Sequence, residues 1–127
     1  MKMSNYLMKR KNYLSISAAL PILQEQIMQR DIIKLENRAV TYAHRAFLLE
    51  QSLLLALLGP GQQPAIFNIV QQTLSEATKA AAIPAAIAER LRNLGRPSER
   101  AEAAAAAAAR SVDAVLAVQR RLLEAKR

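Results

Sequence analysis

From Met28 onward the apolar positions recur in alternating steps of four and three: Met28, Ile32, Leu35, Ala39, Tyr42, Ala46, Leu49, Leu53 and Ala56. An α-helix brings positions spaced in this way into one stripe, the seam of a coiled coil or helical bundle. A second line, Ile33, Val40, Phe47 and Leu54, advances by sevens and lies about 100° further round a helix of 3.6 residues per turn. Together the two lines predict an apolar arc wide enough for two helical neighbours. Arg30, Lys34, Asn37, Arg38, Thr41, His44, Arg45 and Gln51 fill the remaining positions. Ser17 suits an N-cap, and Pro21 suits a first turn, where its missing amide hydrogen costs no bond. The pattern therefore predicts a helix of about forty residues, roughly 60 Å long, from near Ala18 to the Gly59-Pro60-Gly61 breaker.

Beyond that breaker Pro60 and Pro64 predict a stiff turn, and Ile66, Phe67, Val70, Leu74, Ala77 and Ala81 mark one face of a returning helix. Pro84 predicts the start of a short third helix with apolar Ile87, Leu91 and Leu94, closed by Gly95. Pro97 and Ser98 open the last helix, where Ala101, Ala105, Ala108, Val112, Val115, Gln119 and Leu122 repeat the four-three register. Its alanine run, Ala103 to Ala109, reads as a thin, rigid helix, because alanine is the strongest helix former and lets neighbours approach closely. The expected fold is all-α: a three- to four-helix antiparallel bundle with one long helix and a long alanine-rich C-terminal helix. Residues 1–16 form a basic arm or short helix in this reading, and residues 17–127 a single bundle domain.

Composition narrows the function. The 127 residues include no cysteine, which excludes disulfides and thiolate metal sites and suits a reducing, cytoplasmic setting. A basic start followed by Tyr13 to Leu23 has the outline of a signal peptide, but it carries two serines and Pro21 and lacks a clear cleavage site. No stretch approaches the length of apolar sequence that an integral membrane segment requires. The net charge of +8 favours acidic partners such as nucleic acid, and it is concentrated at the two ends of the chain. Aromatic residues make up only 4% and tryptophan is absent, which disfavours base-stacking platforms.

Candidate chemistry is sparse. His44 is the sole histidine, and its place off the main seam predicts a solvated side chain. The sequence contains no Glu-x-x-His pair, glycine-rich phosphate loop or Gly-x-Ser-x-Gly elbow. Glu25, Glu36, Glu50 and Glu76 are the carboxylates available for acid–base work; Glu36 and Glu50, two heptads apart beside the seam, read as rim charges. A long first helix followed by shorter ones is similar in layout to the all-helical chorismate mutases, but Arg30, Arg38 and Arg45 do not reproduce the arginine spacing that such a site implies. The expectation is a non-enzymatic protein with no catalytic residues, metal or cofactor.

Two surfaces stand out. Leu48 and Leu55 fall outside the main arc, so Phe47 to Leu58 is apolar nearly all round, as expected of a helix that is surrounded or touches a partner. Phe47, Leu48, Leu54, Leu55 and Leu58 are the candidate partner interface, for another copy of the chain or another helical protein, with cover by the amino-terminal segment as the competing reading. Arg90, Arg92, Arg96 and Arg100 flank the Gly95-Pro97 turn and are candidate anion or nucleic-acid contacts, since guanidinium forks suit phosphate. A helix-turn-helix reading of that region is weakened by bulky Leu91 and by the lack of base-reading side chains among the alanines that follow. The sequence thus favours a structural, adaptor or oligomerisation protein, with nucleic-acid association as the alternative and a small-molecule site between alanine-rich helices as a third. The Lys/Asn-rich start, Arg/Ala-rich end and clean seven-residue registers fit a natural or an engineered chain alike.

Overall fold

A computed structural model describes residues 2–59 and 65–125, with side-chain surroundings from Ala19 onward. The chain forms three α-helices, α1 (Lys2–Leu58), α2 (Ile66–Asn93) and α3 (Glu99–Ala125), and no strand among the described residues. It divides into two compact units, Met1–Lys34 and Leu35–Arg127. The first consists of the leading part of α1, and Leu20, Ile22, Leu23, Ile27, Met28 and Ile33 are exposed on it. The side chains of the basic arm expected over residues 1–16, and the Pro60–Pro64 turn, lie outside the described residues.

Three sequence expectations are corrected. The first helix does not begin at Ala18: α1 runs through Pro21. Helix growth is cooperative once nucleated, so one lost hydrogen bond is carried by good helix formers on both sides. Nor does Pro84 open a separate helix, because α2 runs through it unbroken. An interior proline costs about 3 kcal/mol, and two features offset that cost here. Pro84 is fully buried in the core, and it is flanked by Ala80 to Ala82 and by Ala85 and Ala86, residues of the highest helix propensity. The described residues therefore form three helices.

The third correction concerns the apolar arc of α1. Within the second unit Ala39, Ala46 and Leu53 are 0%, 0% and 2% exposed, with Leu35, Tyr42, Leu49 and Ala56 half-buried beside them; the first seam holds from Leu35 onward. Val40, Phe47 and Leu54 of the second line remain exposed. Small residues explain the difference. Alanine at 39, 43 and 46 lets α2 and α3 approach closely, so the arc from the Tyr42 side to the Ala43 side already meets both neighbours, and the second line falls outside it.

Large side chains fill one end of this core, where Leu53, Ile66, Val70 and Val115 cluster with Leu57, Phe67, Ile69, Leu74, Val118 and Leu122 packed around them. The rest is built mainly from alanine: Ala39, Ala43, Ala46, Ala77, Ala80, Ala88, Ala101, Ala104 and Ala108, joined by Ile87 and Leu91. On α3 the buried set is Ala101, Ala104, Ala108, Ser111 and Val115, so the predicted line is right at 101, 108 and 115 and one residue off between them.

The α2–α3 turn satisfies its backbone almost completely. Gly95 sits at φ 72°, and the Arg96 and Gly95 amides donate to the Leu91 and Arg92 carbonyls, both at 2.9 Å. These two bonds form a Schellman motif, in which a left-handed residue closes the last helical carbonyls. Three residues on, Ser98 caps α3: its hydroxyl accepts from the Ala101 amide at 3.1 Å, and Glu99 and Glu102 place negative charge in the first turn, where the helix dipole favours it. The same hydroxyl donates to the Glu36 carboxylate of α1. This one residue both starts α3 and docks it on α1.

Candidate interaction surface

On α1 the second heptad line sets out a ridge of exposed apolar side chains, Val40, Phe47 and Leu54. Leu48, Leu55 and Leu58 extend it, with exposures of 51%, 70% and 81%. On an ideal helix these six positions lie within an arc of about 120°, which His44 and Gln51 share with them. All five residues of the interface expected from sequence fall on this face; Val40 belongs with them and was grouped there with the core.

Beside the ridge runs an open groove of about 660 Å³ between α1 and α3. Its α1 wall is Val40, Ala43, His44, Phe47 and Glu50, and its α3 wall is Ala103, Ala104 and Ala107 with Arg100, Arg110 and Ser111. Ala103, Ala104 and Ala107 offer only methyl groups to this groove, where larger residues would fill the space. Phe47 stacks on His44, with ring centroids 6.3 Å apart, which keeps the phenyl on the groove side of the ridge. Charges of both signs border the groove, since Glu50 and Arg110 both line it, and neither has a hydrogen-bonded or ion-paired partner among the described residues.

Arg90, Arg92 and Arg100 of the turn have different neighbours. Arg90 lines a smaller groove with Leu35, Arg38, Ile83, Ala86 and Ile87, Arg92 pairs with Glu102 of α3, and Arg100 borders the α1–α3 groove. Arg96 is itself engaged by an interaction. On α1, Arg38 and Arg45 lie over the Tyr42 ring at 5.7 and 4.6 Å from its centroid, spacings typical of cation–π contact. Of the carboxylates, Glu36 accepts the Ser98 hydroxyl, Glu50 borders the α1–α3 groove, and Glu76 lines a third groove with Tyr42 and Lys79. Glu36, Glu50 and Glu76 therefore serve separate places. Among the described residues no group of three or more His, Cys, Asp or Glu side chains is arranged to hold a metal ion, and no helix is long and apolar enough to cross a membrane.

No family model, curated protein or solved structure matches this chain. The candidate surface combines an exposed apolar ridge with a groove bordered by Glu50, Arg100 and Arg110.

Proposed function

We propose that the chain is a structural or adaptor component that works by helix–helix packing, docking a helical partner on the exposed apolar face of α1. The observation that carries this reading is the exposure of Val40, Phe47, Leu48, Leu54, Leu55 and Leu58 along one arc of a single helix. Isolated apolar residues on a surface need no explanation, whereas six large ones clustered around Gln51 on one arc do. At roughly 25 cal/mol per Å² of apolar area removed from water, covering such a face supplies several kcal/mol before the entropy of association is subtracted.

The test is sedimentation over a wide concentration range, comparing the wild-type chain with Leu48→Glu and Leu55→Glu. Both positions lie outside the core, so the helical signal should be unchanged in each variant while association and nonspecific adhesion fall. A wild-type chain that is monomeric throughout, with both variants equal to it in solubility and association, overturns the reading.

A further inference from the structure

The face described above is self-complementary, and we infer that its occupant is a second copy of this chain, related by a two-fold axis across α1 and α3. This inference rests on the helix-packing reading and adds to it the identity of the partner and the half of the surface that α3 supplies. A two-fold interface requires each copy to carry both halves of every contact. The surface does so twice. The Phe47 ridge stands next to the alanine-floored groove of Ala103 and Ala107, so the ridge of one copy can enter the groove of the other while the reverse contact forms symmetrically. Glu50 borders that groove together with Arg100 and Arg110, so a two-fold pairing can set Glu50 of each copy against Arg110 of the other.

Area and charge both admit this occupant. Val40 is 38% exposed, Phe47 46%, Leu54 40% and the three outer leucines 51 to 81%, so a second copy laid along this arc takes apolar surface of six side chains of each copy out of water, together with the groove floor and its charged rim. Net charge does not oppose the pairing, because α3 holds four acidic and four basic side chains and residues 35–58 of α1 hold two of each.

The decisive experiment exchanges charges between copies. Glu50→Arg and Arg110→Glu are each purified, checked for unchanged helicity, and studied by sedimentation and native mass spectrometry alone and mixed in equal amounts. Alone, each variant sets like charges across both symmetric contacts, and its self-association should weaken about tenfold. Mixed, the two complement each other at both contacts, and a heterodimer of near wild-type affinity should form. Ala107→Leu, which fills the groove from within, should abolish dimers without loss of helix. A dimer indifferent to all three changes overturns the α1–α3 interface but leaves helix packing at the outer leucines standing. A wild-type monomer overturns the second-copy occupant directly, and only insensitivity to Leu48→Glu and Leu55→Glu in addition removes the broader reading.

Discussion

The Ser98 hydroxyl donates to the Glu36 carboxylate and at the same time accepts the Ala101 amide, so a cap and a tertiary tie share one oxygen atom. Ser98 is 7% exposed, and its removal would leave the Ala101 amide and Glu36 short of a partner. Loss of a serine cap costs about 0.5 to 2 kcal/mol, and a hydrogen bond to a charged group adds to that. Ser98→Ala should therefore destabilise the bundle by about 2 kcal/mol, read as a lower urea midpoint at constant slope. Glu36→Gln, which keeps an acceptor for the hydroxyl, should cost less than half as much. Equal losses in the two variants would show that the carboxylate charge, and not the cap, is the main contribution.

Gly95 gives a cleaner backbone test. A Cβ built at this position meets nothing within 4 Å, so a substitution there reports on the φ of 72° without a steric clash against neighbours. Gly95→Ala should cost about 1 to 2 kcal/mol by thermal or chemical denaturation, and Gly95→Asn less, because asparagine tolerates the left-handed region. An alanine variant as stable as wild type would mean that the Schellman turn has an easy alternative.

Burial separates two leucines on the same helix. Leu53 is 2% exposed within the Ile66, Val70 and Val115 cluster, whereas Leu55 is 70% exposed. Leu53→Ala should cost about 2 to 5 kcal/mol. Leu55→Ala should change monomer stability by no more than about 0.5 kcal/mol, measured at concentrations where association is absent. A large loss at Leu55 under those conditions would place it in the core.

The Arg92–Glu102 pair joins side chains that are 50% and 40% exposed. Solvent and salt screen such a pair, and exposed ion pairs contribute about 0 to 1 kcal/mol. Arg92→Ala should accordingly shift the denaturation midpoint by no more than a few tenths of a kcal/mol, with the residual effect vanishing at high ionic strength.

Much of this architecture was legible in the sequence, and the exceptions share a physical cause. The heptad seam through Ala39, Ala46 and Leu53, the Gly95 closure and the Ser98 start of α3 all follow from local rules of spacing and capping. Pro21 and Pro84 were misread because proline's local preference for a first turn is outweighed by flanking helix propensity and, at Pro84, by burial in the core. The second heptad line was misassigned because periodicity identifies which residues share a face, while side-chain size determines how much of that face a neighbour covers. The interaction surface was half legible. Its leucines on α1 were visible as apolar residues off the seam, but the groove beside them depends on the pairing of Phe47 with Ala103 and Ala107 across two helices, a relationship that no single-segment pattern encodes.

The alanine-built interior also sets how this protein responds to temperature. Heat-capacity change on unfolding follows the apolar surface newly exposed to water, and a methyl group exposes far less than the isobutyl or phenyl groups of an ordinary core. A bundle that buries Ala39, Ala43, Ala46, Ala101, Ala104 and Ala108 where others bury leucine should unfold with a heat-capacity increment below the ~12 to 15 cal/mol/K per residue of typical globular domains. Its stability curve should therefore be shallow, varying little between cold and warm conditions and declining gradually at both extremes.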